Sequence, residues 1–146
     1  MLYIDTSIIV KLYFKEEYSA EVSNWIRANN EAIPLTSLHE LEFTNAVQLK
    51  RFRDEITEDE IDLIFSRFAD HNRKGVFYRP PIDWADIYRY ALDLSKRHTG
   101  KIGSRSMDIL HVASALSIKA DRFLTLDVRQ VKLASIAGLK TEDCIN

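Results

Sequence analysis

The chain opens with a short apolar run that stops abruptly at an acid and two hydroxyl residues. Leu2–Ile4 are apolar, and Asp5, Thr6 and Ser7 follow directly. Continuous apolar runs are typical of strands covered on both faces, and in open parallel sheets the ligand crevice lies beyond the carboxyl ends of the strands. Asp5 is therefore expected at a functional position. The alternative is structural: Asp5 only caps the helix that begins near Ser7.

A second stretch of the same design lies near the other end of the chain. Residues 122–126 read as a short apolar strand with Thr125 near its end, and Asp127 follows. Between the two stretches, helical periodicity alternates with short strand-like runs at 32–36 and 76–78, and a last strand is predicted at 139–141. This order predicts an α/β fold, a three-layer α/β/α sandwich with a short central parallel sheet. Right-handed crossovers then bring Asp5 and Asp127 to one edge of the sheet.

The helix predicted over 37–53 contains two acids, Glu40 and Glu42, which lie two positions apart and cannot share a face. Four apolar residues define a stripe that includes position 42: Leu38, Leu41, Ala46 and Leu49. Glu42 is therefore predicted to turn inward, where an unpaired charge is costly and calls for a partner or a metal. The structural alternative is an ion pair with a nearby arginine or a position at the edge of the stripe.

A further helix is predicted from Ser106, and its residues are small and apolar around nearly the whole circumference, as in a buried helix. Asp108 lies in its first turn, where a carboxylate complements the helix dipole; that is the structural alternative to a functional role. His111, one turn later, is predicted to be a hydrogen-bonded, half-buried packing residue. The preceding stretch, 96–105, is predicted to be a basic, glycine-punctuated loop.

Composition limits the classes of protein that this chain can be. At 146 residues it is expected to form one domain, 1–146, with its own core. The lone Cys144 excludes an internal disulfide framework and favours a reducing compartment. No basic leader or membrane-spanning apolar stretch is present, so a cytoplasmic protein is expected. A net charge of −2 gives no general attraction to a polyanion, so such a substrate would need a local basic patch.

The predicted fold brings four acids towards one cleft: Asp5, Glu42, Asp108 and Asp127. Like charges at close range raise one another's pKa unless a cation compensates them, so a divalent metal is the simplest explanation. Oxygen-only ligands favour Mg²⁺ or Mn²⁺ over Zn²⁺. Such a site suits phosphodiester hydrolysis, and one metal or two remain equally open.

Four stretches of the sequence resemble the motifs of PIN-domain ribonucleases, specifically the VapC-type toxins of toxin–antitoxin pairs. They occur in the family's order and span nearly the full length: residues 3–7 (YIDTS), 36–46 (TSLHELEFTNA), 105–116 (RSMDILHVASAL) and 123–130 (FLTLDVRQ). The resemblance implies an endoribonuclease dependent on Mg²⁺ or Mn²⁺. It also implies a homodimer that is held inactive by a cognate antitoxin inserted into the active-site groove.

The resemblance also assigns roles to the acids. Asp5, Glu42, Asp108 and Asp127 are the catalytic acids. Asp5 and Asp108 are expected to bind the metal, and Glu42 and Asp127 to do so directly or through water. None of the four positions departs from the family's pattern.

Four further residues receive roles by the same resemblance. Thr6 and Thr125 are expected to orient the acids or a water molecule by hydrogen bonds. Arg105 and Lys101 are expected to contact the RNA backbone, which positions a substrate without reading its sequence. A structured RNA with an exposed single-stranded loop is the expected substrate.

Other functions fit the sequence less well. A haloacid-dehalogenase-type phosphotransferase needs a second acid two residues after the first, and that position is Ser7. A receiver domain gathers adjacent acids at its first strand, and Asp5 has no such neighbour. The alternative from another class is a catalytically silent PIN-like module that binds RNA or protein. Its loss of activity should leave at least one acid replaced, and all four are intact.

Overall fold

The computed structural model of the protein describes all 146 residues. Most of the chain is helical, with short strands between the helices. In chain order the elements are β1 (Leu2–Ile4), α1 (Thr6–Tyr13), α2 (Ser19–Asn29), β2 (Ile33–Pro34), α3 (Ser37–Phe52), α4 (Glu58–Arg73), β3 (Phe77–Tyr78), α5 (Trp84–Leu94), a π-helical turn (Ser95–Thr99), α6 (Gly100–Ile102), α7 (Ser106–Ser117), β4 (Arg122–Leu124), α8 (Val128–Ile136) and β5 (Lys140–Glu142). None of these helices combines the length and apolar character needed to cross a membrane.

The sheet is short and parallel, as predicted. Three strands pair in the order β1-β4-β5, so the first strand of the chain lies beside β4 near the other end. In this register Tyr3 lies opposite Phe123, which lies opposite Thr141 on the other side. β2 and β3 form a separate parallel pair. The register places the residues that follow β1 and β4 side by side.

The central strands separate two hydrophobic cores because successive side chains point to opposite faces. Leu2, Ile4 and Leu124 belong to the core covered by α1, α2, α3 and α4. Tyr3 and Phe123 belong to the core covered by α5, α7 and α8. All five side chains are at most 2% exposed. The predicted three-layer α/β/α sandwich is confirmed.

His39 fastens α3 to the end of β1. Its Nε2–H donates to the carbonyl oxygen of Ile4 over 2.8 Å, and its Nδ1 accepts from the backbone N–H of Thr36 over 3.0 Å. Thr36 also caps α3, since its hydroxyl accepts from the backbone of His39. The carbonyl group of Ile4 is thus hydrogen-bonded to a histidine side chain instead of to a neighbouring strand. This bond sets α3 beside the carboxyl end of β1.

The segment predicted as a basic loop is mostly helical, so that prediction was wrong over 96–102. The π-helical turn and α6 continue directly from α5. The segment is held against the protein because Ile102 packs against the core that contains Tyr3 and Phe123. Only 103–105 are irregular. Gly103 has a φ of 73°, a left-handed conformation that glycine adopts without steric cost, and it ends α6 before α7 begins.

Candidate active site

The four predicted acids arrive at one cavity from four separate elements. Asp5 follows β1, Asp127 follows β4, Asp108 lies in the first turn of α7, and Glu42 lies on α3. The cavity measures about 180 Å³ and has no hydrophobic residue in its wall. It is lined by Asp5, Thr6, Ser7, Glu42, Arg105, Asp108, His111 and Asp127. The predicted convergence of the acids is therefore present in the fold.

Asp5 is the most deeply buried of the acids, with only 6% of its surface exposed. Its Oδ1 accepts hydrogen bonds from the Ser7 hydroxyl at 2.7 Å and from the backbone N–H of Ile8 at 3.2 Å. Its Oδ2 accepts from the Thr125 hydroxyl at 2.8 Å. Asp5 thus caps α1 and also lines the cavity, so the two interpretations hold together. Burial raises the pKa of Asp5 despite these hydrogen bonds.

Glu40 and Glu42 face different surroundings, as the sequence predicted. Glu40 lies at the surface, where the guanidinium of Arg79 donates one hydrogen bond of 2.6 Å to each of its carboxylate oxygens. Glu42 lies beside Thr6 at the cavity, with 27% of its side chain exposed. The arginine partner considered for Glu42 therefore belongs to Glu40. The two positions lie on different faces of α3.

The apolar stripe from which this choice was predicted was partly wrong. Leu41 and Leu49 are exposed, at 65% and 39%. The buried residues of α3 are Leu38, His39, Phe43 and Val47. The inner face is formed by His39, Phe43 and Val47, which are spaced four residues apart. A search for apolar residues alone misses this face, because it does not count a buried histidine. Glu42 borders that face, as in the alternative that placed it at the edge of the stripe, and from there it reaches the cavity.

Glu42 is held by two side chains on its Oε1. The Thr6 hydroxyl donates to it over 2.8 Å, and Nε2 of His111 forms a close hydrogen bond with the same oxygen. Partial burial on its own would raise the pKa of Glu42, but the hydrogen bonds and charge of its neighbours bring that pKa below its ordinary value. Glu42 is therefore ionised at neutral pH.

His111 is hydrogen-bonded, as predicted, but it is fully buried instead of half-buried and is more than a packing residue. It lines the cavity and touches both Glu42 and Thr6. The sequence held a signal for its place in the cavity wall, although not for its contact with Glu42. His111 lies three residues after Asp108, and residues three apart on a helix are neighbours on one face.

Asp108 and Asp127 are bridged by one arginine. The Nε of Arg105 donates to Asp108 over 2.8 Å, and its Nη2 donates to Asp127 over 3.4 Å. The other oxygen of Asp127 caps α8, accepting from the backbone N–H groups of Arg129 and Gln130. The Arg105 side chain is 64% exposed. It lines the cavity without being buried in the protein.

The remaining predicted residues divide into two groups. Thr6 and Thr125 contact the acids directly, and Thr125 also accepts from the backbone N–H of Asp127 over 3.1 Å. Lys101 lies on α6, is exposed, and does not line the cavity. The structure thus brings together the acids, the two threonines and Arg105, and Lys101 is not among the residues that line the cavity.

The donor atoms at the cavity fit a hard cation. Carboxylate and hydroxyl oxygens are the ligands that Mg²⁺ and Mn²⁺ take in proteins, and Mg²⁺ often binds through only one or two carboxylates and retains several waters. No three or more of these side chains are already arranged as a group that could hold a metal ion. In this arrangement Arg105 supplies positive charge to Asp108 and Asp127, and both oxygens of Asp5 accept hydrogen bonds from the protein.

Comparisons with known proteins agree with this fold. The family model for the PIN domain matches residues 2–136. The crystal structure of FitAcB from Neisseria gonorrhoeae is similar, with a TM-score of 0.71 and 18% identity over 98% of this chain and 97% of that chain. The crystal structure of VapBC2 from Rickettsia felis bound to a DNA fragment from its promoter is also similar. Its TM-score is 0.65, with 18% identity over 97% of this chain and 98% of that chain. No curated protein sequence matches significantly. The chain belongs to the PIN-domain family.

Proposed function

We propose that the protein is a metal-dependent endoribonuclease that hydrolyses RNA phosphodiester bonds. The observation that carries the proposal is the convergence of Asp5, Glu42, Asp108 and Asp127 from four separate elements on one cavity without an apolar wall. Carboxylates that line one cavity, with Asp5 buried, repel one another unless positive charge compensates them. PIN-domain membership points to the same chemistry, since PIN domains are generally nucleases.

The cation would be held by Asp5 and Asp108, with Glu42 and Asp127 as direct ligands or as partners of its waters. Bound Mg²⁺ or Mn²⁺ supplies positive charge for the phosphate oxygens and for the attacking water. The protein's own part is to hold the carboxylates in place. Asp5 is fixed by Ser7 and Thr125, so its oxygens cannot rotate away from the cavity when charge changes there.

Arg105 suits a role at the phosphate backbone. It is exposed and only bridges the acids, so it can exchange those carboxylates for a phosphate of the substrate. Arginine is well suited to such contacts, because its planar donors match phosphate oxygens. Lys101, which is exposed on the neighbouring α6, would extend this contact along the RNA backbone. Neither residue reads bases, so sequence preference is expected to come from the shape of the RNA loop.

The biological role that fits best is that of a VapC-type toxin in a type II toxin–antitoxin pair. The resemblance of the four sequence motifs to those of VapC-type toxins supports this role, and the similarity of the fold to VapBC2 agrees with it. The expected partner is therefore an antitoxin protein that covers the acidic cavity. A homodimer is also expected, and the exposed Tyr88 and Leu92 of α5 provide an apolar surface for it. The expected location is the cytoplasm, where cellular RNA lies.

The test is cleavage of RNA by the purified protein. Total cellular RNA is incubated with protein and Mg²⁺ or with a chelator, and the new ends are sequenced. Defined new ends are expected only with Mg²⁺. They should disappear in Asp5→Asn and in Asp108→Asn, which preserve side-chain shape and remove the charge.

The matched control is Glu40→Gln, which removes a carboxylate from the same protein but outside the cavity. It should cleave like the wild type. Cleavage that persists unchanged in both aspartate variants would refute the metal role. RNA or antitoxin binding without any cleavage would instead identify a catalytically silent PIN-like module.

A further inference from the structure

A buried hydrogen-bonded chain runs from the central sheet to Glu42. Tyr3 on β1 is fully buried, and its hydroxyl lies 2.9 Å from Nδ1 of His111. Nε2 on the opposite side of the imidazole contacts Oε1 of Glu42 and lies 3.2 Å from the Thr6 hydroxyl. The His111 side chain is only 3% exposed. One ring therefore joins a rigid core residue to an acid of the site.

The partners of His111 determine where its protons are. An ionised carboxylate can only accept hydrogen bonds, so Nε2 must carry the hydrogen that points to Glu42. Nδ1 faces the Tyr3 hydroxyl, which donates to it when the imidazole is neutral and accepts from it when the imidazole is protonated. Tyr3 cannot swing away, because its ring is stacked on Phe123 with centroids 5.5 Å apart and an interplanar angle of 11°.

The consequence is an asymmetric Glu42 carboxylate. Its Oε1 accepts from both Thr6 and His111, whereas its Oε2 accepts no hydrogen bond from the protein. Asp5 and Asp127, by contrast, have hydrogen bonds at both oxygens. A glutamate has three rotatable side-chain bonds, so it needs more fixing than an aspartate to present one oxygen in a constant direction.

The neighbouring His39 shows what a purely structural histidine looks like in this protein. Its ring lies 5.0 Å from that of His111, and it is equally buried. Its hydrogen bonds, however, go to Thr36 and to the backbone of Ile4. It touches none of the acids. Burial alone therefore does not explain why His111 reaches Glu42.

We propose that His111, anchored by Tyr3, is a positioning residue that locks Oε1 of Glu42 and leaves Oε2 as the oxygen presented to the divalent cation. The inference rests on the proposed function and deepens it. Residues that orient metal-binding carboxylates commonly matter almost as much as the ligands do. Neither histidine nor tyrosine touches the substrate or the cation in this proposal.

Two substitutions of His111 distinguish the contributions of its two ring nitrogens. His111→Gln places a donor near the position of Nε2 and keeps the bond to Glu42. His111→Asn places polar atoms near Nδ1, keeps the contact with Tyr3, and loses the bond to Glu42. The measurement is Mn²⁺ affinity of the RNA-free protein, followed by electron paramagnetic resonance of free Mn²⁺, together with kcat and KM for RNA cleavage.

We expect His111→Asn to lose roughly 10–100-fold in Mn²⁺ affinity or in kcat, with KM for RNA little changed. His111→Gln should stay much closer to the wild type, and His39→Gln, which removes no hydrogen bond from an acid, should lower Mn²⁺ affinity less than His111→Asn does. A merely structural role predicts equal losses in the Asn and Gln variants of His111, because each loses one buried hydrogen bond. Equal losses, or no loss in His111→Asn, would overturn the proposal.

Two further outcomes keep the test decisive. If His111→Asn fails to fold, Tyr3→Phe is measured instead, since it retains the ring packed on Phe123 and removes only the hydroxyl. It should weaken Mn²⁺ binding severalfold, and unchanged binding would overturn the proposal. If the wild type binds Mn²⁺ and cleaves RNA while these variants match it, only the positioning role fails. If the wild type does neither, the proposed function fails as well.

Discussion

The hydroxyl of Thr125 donates a hydrogen bond to Oδ2 of Asp5 over 2.8 Å, although 120 positions separate the two residues in the chain. The contact follows from the parallel register in which Ile4 lies opposite Leu124. Each residue comes directly after its strand, so the two side chains meet at the same edge of the sheet. This bond joins the two halves of the candidate site.

Thr125→Val should therefore impair the site while preserving the shape of the side chain. Valine cannot donate to Asp5, and hydrogen bonds to buried charged groups contribute about 1.5–3 kcal/mol. RNA cleavage is expected to fall by about 10–100-fold, and the melting temperature should fall as well. Thr125→Ser retains the hydroxyl and serves as the control. Equal activity in the Val and Ser variants would show that the bond does not matter for function.

The two glutamates of α3 should respond very differently to the same substitution. Glu42→Gln removes an ionised group from the cavity and should reduce RNA cleavage by about 10²-fold. Glu40→Gln weakens only an exposed ion pair with Arg79, which is worth about 0–1 kcal/mol, and activity should stay near that of the wild type. Cleavage assays on both variants at equal protein concentration decide the matter. Equal losses would mean that the wrong glutamate has been assigned to the site.

Arg105→Gln should have opposite effects on metal and on RNA. The guanidinium bridges Asp108 and Asp127, so its removal frees both carboxylates. Mn²⁺ should then bind the RNA-free protein more tightly, by calorimetric titration. RNA should bind more weakly, because about one phosphate contact is lost, and the salt dependence of RNA binding should become shallower. Weaker binding of both would contradict the view that the arginine and the cation compete for the same acids.

The buried His39 should make stability depend on pH. Burial lowers the pKa of His39 to about 3, below the ordinary value of 6.5, so the folded protein favours the neutral ring. Its contribution is present above pH 6.5 and is lost as the pH falls from there towards 3. Over that interval the unfolded state binds one more proton at this site, so stability falls with decreasing pH by up to about 1.4 kcal/mol per unit.

Nuclear magnetic resonance of the imidazole nitrogens measures this directly. At pH 5 the ring of His39 should still be neutral, with its hydrogen on Nε2, the atom that faces the carbonyl of Ile4. Urea unfolding of His39→Gln should correspondingly show a smaller drop in stability between pH 7 and pH 5 than the wild type. A His39 ring that titrates near pH 6.5 would contradict the account.

The strand ends were predictable because their signal is local. An apolar run followed by a hydroxyl and an acid marks where a parallel strand stops, and Asp5 and Asp127 both carry that pattern. Parallel topology then places the two ends at the same edge of the sheet, and the structure shows in addition that the two strands are neighbours. The position of Asp108 followed from the start of the α7 helix, for which the sequence was equally clear.

The remaining contacts were not predictable, because they depend on which helix face meets which neighbour. α7 is apolar around nearly its whole circumference, so periodicity did not reveal that His111 faces Glu42. On α3, the buried His39 shifted the inner face away from Leu41. The bridge made by Arg105 is a matter of long, flexible side chains, about which spacing in the sequence says nothing. That residues 1–146 form one domain stays a prediction.

The central claim is that acids distant in the sequence form one site for a divalent cation. The most direct test is an anomalous difference map from crystals of the protein soaked in Mn²⁺. A peak is predicted in the cavity between Asp5 and Asp108, with Glu42 at its edge, and it should vanish in Asp108→Asn crystals treated in the same way. Mn²⁺ bound only elsewhere on the surface, with the cavity empty at saturating concentration, would contradict the account.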